Sequence, residues 1–229
     1  MPVRPSKRNI KTDLDAFRPY IIGGGAAAAR SLGANVSTGE GPGIDVVGGN
    51  TVGIGGDTIL LYDSGGLPVA EFAATDAGLT AALAAMAAGD VVELPAVTIS
   101  GGPWTVSAGT LRGMSREGSI LNGQVTVNDA TALETLTIER SEDDAGAIYG
   151  VVDGGGTAKL VDVTVNVANA TGPAYAVYVA ADGSLYAYDC ALTAEMGSSG
   201  YAAYVSLGRF YQIGGLALGT APGLPYWRS

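Results

Sequence analysis

The chain has 229 residues, and its 22 Asp and Glu outnumber 12 Lys and Arg, for a net charge of −10 at pH 7. An acidic body argues against nucleic acid as the main ligand. The absence of His excludes a Ser-His-Asp triad, a histidine general base and an imidazole zinc site.

The single Cys cannot form an internal disulfide, and no run of about eighteen apolar residues is present to span a membrane. Thirty-six glycines and only three Phe suit tight turns and small interior side chains. Charge is unevenly placed: residues 1–30 hold six cations and two acids, a net of +4, and residues 31–229 hold six and twenty, a net of −14.

Residues 1–30 read as an extended anchoring arm and linker. Two early prolines, the cations Arg4, Lys7, Arg8, Lys11 and Arg18, and scattered Ile10, Leu14 and Phe17 cannot bury enough area to fold alone. Such a segment is either a disordered tail or an arm that orders against a larger, acidic assembly, with Arg4, Lys7, Arg8, Lys11, Phe17 and Arg18 as its anchors. Gly23 to Ala29 follows as a flexible linker. Asp13 and Asp15 interrupt the basic stretch and three glycines break the apolar run after it, so no signal peptide is expected.

Residues 31–76 read as a Gly-rich β stalk. Short strand signals at 43–47, 51–54, 58–62 and 69–72 alternate with turn signals such as Gly49-Asn50 and Asp63-Ser64-Gly65-Gly66. So small a piece gains stability by winding with copies of itself, which points to a homotrimer burying Ile44, Val46, Ile59, Leu61 and Phe72. No Lys-bearing helix follows the glycines, so they are not a phosphate loop.

Residues 77–229 form the head. It opens on Leu79 to Ile99, whose first half is an Ala-rich helix ending in Gly89 and whose second half is a strand interrupted by Pro95. From residue 130 a repeat sets in. Thr135-Leu136-Thr137-Ile138 aligns with Asp162-Val163-Thr164-Val165, Asp189-Cys190-Ala191-Leu192 and Gly215-Leu216-Ala217-Leu218, in steps of 27, 27 and 26. A second set, Ala147 to Val152, Ala174 to Val179 and Gly200 to Val205, keeps the phase. Two strand signals per constant period mean stacked coils of a solenoid. Alternation points Leu136, Ile138, Val163, Val165, Cys190, Leu192, Leu216 and Leu218 inward.

Ala81-Ala82-Leu83, Ala88-Gly89-Asp90-Val91-Val92-Glu93-Leu94-Pro95-Ala96, Leu111-Arg112-Gly113-Met114 and Ser119-Ile120-Leu121 resemble the opening rungs of the pectate-lyase-like right-handed parallel β-helix superfamily. The resemblance covers residues 76 to 229 and implies an all-β, single-stranded solenoid closed by a short cap helix. Enzymes, phage tailspikes and inert fibres share this fold, so it does not decide activity. The lyases among them combine calcium-binding acids with an Arg or Lys base. Arg112, Arg116, Arg140 and Arg209 sit in no motif beside acids, so no catalytic residue and no metal ligand is carried over.

Asp162 and Asp189 fall on the outer side of adjacent coils, about 5 Å apart if stacked. They could share a proton, hold calcium or act as a glycosidase pair, or simply be solvated acids. Glu142-Asp143-Asp144 is the densest acidic cluster and lies in a turn; with Asp143 and Asp144 it completes the acidic candidates should the head be an enzyme. Tyr175 stacks over Tyr201 and Tyr178 over Tyr204, for a subunit interface, plain packing along the ladder or contact with a glycan. The odd spacing of Tyr175 and Tyr178 puts the two ladders on opposite faces.

These features read together as a non-enzymatic appendage at a virion surface: a phage or virus fibre, spike or decoration protein, trimeric, needing no cofactor, and in contact with a host glycan. The alternatives are a polysaccharide-degrading tailspike or lyase, with calcium as a possible cofactor, and a bacterial adhesin or fibre subunit.

Overall fold

The computed structural model describes residues 58–180, 182–196 and 199–219, together with the backbone of 35–37, 45–47 and 226–228. Two compact units divide the chain at Gly56/Asp57. In the first, β1 (Asn35–Ser37) pairs antiparallel with β2 (Asp45–Val47). The whole arm, residues 1–30, with its anchors Arg4, Lys7, Arg8, Lys11, Phe17 and Arg18, lies outside the described residues.

The second unit begins with the hairpin β3 (Thr58–Tyr62) and β4 (Pro68–Ala73), then α1 (Asp76–Ala85). Strands then follow coil by coil. The first two coils are β5 (Val91–Leu94), β6 (Thr98–Ser100) and β7 (Trp104–Val106), then β8 (Thr110–Gly113), β9 (Ile120–Asn122) and β10 (Val125–Val127). Next come the long β11 (Thr131–Glu142) with β12 (Ile148–Asp153), and β13 (Thr157–Asn169) with β14 (Ala174–Val179). The last are β15 (Ser184–Tyr188), β16 (Ala191–Met196) and β17 (Gly200–Val205), then β18 (Arg209–Ile213), β19 (Leu216–Gly219) and β20 (Tyr226–Arg228).

Every strand from β5 onward pairs in parallel with its counterpart one coil away, giving a parallel β-helix of about five turns. Sheet one stacks β5, β8, β11, β13, β15 and β18; sheet two stacks β6, β9, β11, β13, β16 and β19; sheet three stacks β7, β10, β12, β14, β17 and β20. β11 and β13 are long because each runs through the bend between sheets one and two. At that bend Thr135, Asp162 and Asp189 take φ of 51°, 54° and 53°. Asp tolerates this left-handed region better than most side chains, so the backbone itself accounts for two of the candidate acids.

The core is a set of columns. Ile99, Leu121, Ile138, Val165 and Leu192 fill one in sheet two; Trp104, Val125, Val151, Val177 and Ala203 fill one in sheet three, and all ten are buried. The N-terminal end is closed by α1. Thr75 caps it, its hydroxyl accepting from Gly78 N at 3.2 Å, and Leu79, Ala82 and Leu83 face the core. Asp76 ties the cap to the first coil by accepting from Trp104 Nε1 at 2.8 Å.

Four expectations change. The helix stops at Ala85 rather than running to Gly89: Met86 is extended, and the Asp90 carboxylate accepts from Ala87 N to build a turn in which Gly89 takes φ 87°. Thr58 to Ala73 belongs to the solenoid unit rather than to a stalk reaching residue 76, because β3 pairs antiparallel with β5. Ile59 and Leu61 are therefore buried within one chain, with no partner copy required.

Leu216 and Leu218 point outward, 51% and 50% exposed. The turn Ser206–Gly208 is one residue shorter than the 180–183 turn it stacks on, so the register advances: Ala191 pairs with Leu216 and Leu192 with Ala217, a step of 25. A one-residue shift exchanges the two faces of a strand. Leu136, Val163 and Cys190 do share the interior column.

Finally, Tyr175 and Tyr178 lie on one face, not two. The pairings skip residue 176, and Ala176 and Val177 are both buried, so the alternation breaks between the tyrosines.

Candidate functional site

The acidic candidates do not meet. Asp162 and Asp189 occupy successive coils at the bend where sheet two begins, whereas Asp143 and Asp144 lie past its far end. The second half of β13, roughly 20 Å of strand, separates the two groups. Among the described residues no three His, Cys, Asp or Glu side chains gather to hold a metal ion.

Each acid has a structural neighbourhood. Arg116, in the loop between β8 and β9, donates from Nη1 to Asp162 Oδ1 at 2.9 Å and from Nε to Thr164 Oγ1 at 2.5 Å, while its carbonyl accepts from Thr137 Oγ1 at 2.6 Å. One arginine thus clamps three coils. Asp189 is exposed, and a Cβ at Gly214 in the next coil would overlap its carboxylate. Asp144 Oδ1 accepts from Gly146 N at 2.8 Å, an Asx turn repeated by Asp63 with Gly65 and by Asp153 with Gly155. Glu142 Oε1 accepts from Arg140 Nε at 2.6 Å. Asp143 is exposed in the same turn.

Two residues organise this corner: Asn169, which the sequence did not single out, and Arg140, which the sequence set beside no acid. Arg140 also donates from Nη1 to Gln124 Oε1 at 3.1 Å and to the Tyr149 carbonyl at 3.2 Å. Asn169 is buried: its Oδ1 accepts from Asp144 N and Thr171 N, and its Nδ2 donates to Gly146 O at 3.0 Å. Asn169 stands where its coil leaves sheet two, in register with Glu142 and Met196, so no repeating residue marked it in the sequence. Beside Arg140 lies a shallow cleft of about 220 Å³ lined by Gly101, Pro103, Asn122, Gln124 and Glu142. Its arginine is held by Glu142, Gln124 and the Tyr149 carbonyl.

The tyrosines form one surface on sheet three, and Tyr149 belongs to it. The step there is 26, so Tyr149 pairs with Tyr175, and Tyr175 with Tyr201. Ring centroids along this ladder are 5.4 and 5.6 Å apart with interplanar angles of 14° and 10°. Tyr178 and Tyr204 stack at 5.5 Å, and cross-ladder contacts such as Tyr175–Tyr204, 5.1 Å and 70°, lock the two rows together. Burial among its neighbours pushes the Tyr175 hydroxyl up to about 12. Ring faces turned to one another bind coil to coil. Tyr186 and Tyr211 repeat the arrangement on sheet one at 4.8 Å and 13°.

The chain matches no protein-family model, no curated protein and no solved structure.

Proposed function

We propose that the chain is a non-enzymatic structural appendage, a fibre, spike or decoration protein of a phage or virus particle, docked by its cationic N-terminal segment and presenting the β-helix. The observation that carries this reading is that the outward polar and aromatic side chains of the solenoid connect coils to one another. Asp162 takes the Arg116 clamp, Asp144 and Asn169 build a turn, and Tyr149, Tyr175, Tyr178, Tyr201 and Tyr204 of sheet three stack on each other. A rod reinforced along its axis suits a load-bearing part. Trimerisation through residues 31–56 and contact with a host glycan along the tyrosine surface belong to the same reading.

The test has two arms. Purified full-length protein should release no reducing ends from host or environmental polysaccharides, with or without calcium. Deleting residues 1–22 should leave the protein folded but absent from assembled particles. Release that is abolished by Asp162→Asn or Asp144→Asn would replace the structural reading with a depolymerising one.

A further inference from the structure

Tyrosine contacts on sheet three fall into two geometries. Along a ladder the rings face one another: Tyr149–Tyr175, Tyr175–Tyr201 and Tyr178–Tyr204 meet at 14°, 10° and 23°. Across the ladders they are inclined, by 43° for Tyr149–Tyr178, 52° for Tyr175–Tyr178 and 70° for Tyr175–Tyr204 and Tyr201–Tyr204. Among the described residues of sheet three, Tyr149 and Tyr178 are the closest pair, with centroids 4.8 Å apart.

The inclination matters for one reaction. A carbon–carbon bond between two aromatic rings lies in the plane of both, and hydroxyls beside that bond keep the two planes twisted. A face-to-face stack presents ring faces rather than the edges the bond joins, and must open before it couples. Tyr149 and Tyr178 are both close and already inclined. They sit on β12 and β14, so a bond between them ties two successive coils. Both rings are half-buried, within reach of an oxidant in solution. With one Cys in the chain, no internal disulfide can tie coil to coil.

We infer that Tyr149 and Tyr178 are an oxidative cross-linking site, converted to dityrosine by a haem peroxidase with hydrogen peroxide. Each phenol loses one electron and one proton and becomes a phenoxyl radical. The two unpaired electrons form a bond between the ring carbons beside the hydroxyls. Each of those carbons then releases its hydrogen as a proton, and a proton returns to each phenol oxygen. Hydrogen peroxide takes up the two electrons and two protons and leaves as two waters. Two tyrosines and one peroxide thus give one dityrosine and two waters.

Holding both rings in contact on one chain makes the coupling unimolecular, which favours it over coupling between chains. The product closes a covalent ring around a whole coil, β13 included, and a cross-link of this kind removes freedom from the unfolded chain.

The experiment treats the full-length chain at micromolar concentration with a haem peroxidase and hydrogen peroxide, beside Tyr178→Phe and Tyr186→Phe variants. Peptide mass spectrometry should find peptides joined through Tyr149 and Tyr178 with the loss of two hydrogens. Tyr178→Phe should lose most of the dityrosine fluorescence. Tyr186→Phe should keep it, because Tyr186 faces Tyr211 at the same 4.8 Å but at 13°. Treated wild type should unfold at a higher denaturant concentration than untreated, a shift absent from Tyr178→Phe. Dityrosine only between chains, or within the chain at other pairs in place of this one, overturns the site, and so does a folded, treated chain with none. Should Tyr178→Phe fail to fold, the peptide map of the wild type decides alone.

Discussion

Asp153 stands where a valine would be expected. Its register neighbours are Val127 in the coil below and Val179 in the coil above, and it is 0% exposed. Oδ1 accepts from Gly155 N at 3.0 Å, while Oδ2 is buried with no partner. Burial pushes the carboxyl above its ordinary value. A carboxyl whose folded pKa is raised binds its proton more tightly when folded. Its contribution is therefore complete below the unfolded value near 3.8 and is lost as pH rises through the folded one. Asp153→Val should raise stability at pH 7 by about 1–3 kcal/mol, the cost of a buried unpartnered polar atom. That gain should shrink toward pH 4 in thermal melts, and a gain independent of pH would contradict this account. Tyr175 has the same sign at the other end of the scale: stability should fall above pH 10, as pH rises toward about 12. Absorbance titration should show two phenols, Tyr149 and Tyr175, ionising later than free tyrosine.

At the scale of the element, the bend between sheets one and two decides what the sequence could reveal. The 27-residue step from Leu136 to Val163 to Cys190 was legible because nothing is inserted between these positions, and all three are buried in one column. Val163→Asp should cost several kcal/mol, measured by chemical denaturation, because an unpaired charge in that column cannot be solvated. The 25-residue step to Leu216 was hidden, since losing one turn residue leaves the Leu-Ala-Leu pattern intact and only exchanges its faces. Tyr149 was missed for a related reason: sheet three steps by 26 where sheet two steps by 27. The clamp from Arg116 to Asp162 spans 46 residues and has no local signature. Asp162→Asn should cost under about 1 kcal/mol, because the pair is partly solvated. A larger loss would mean that the clamp holds the coils together more than its exposure implies.

For the whole molecule, fold and use separate cleanly. Coils, cap helix and core columns follow from period, Gly placement and the Pro95 break, and these were readable. What the outer surface touches was not, because side chains that bridge coils and side chains that meet a partner have the same chemistry. The acids illustrate this: spacing brought Asp162 and Asp189 to one corner, but no spacing rule could say that a loop arginine from two coils away would take one of them. The central claim is that this β-helix is a structural part of a larger particle rather than a free catalyst. Electron microscopy of native particles, labelled with an antibody against the solenoid, tests it most directly. The account predicts label on projecting appendages, lost when residues 1–22 are deleted. Label absent from every particle, with the protein free in solution and releasing sugar ends from polysaccharide, would contradict it.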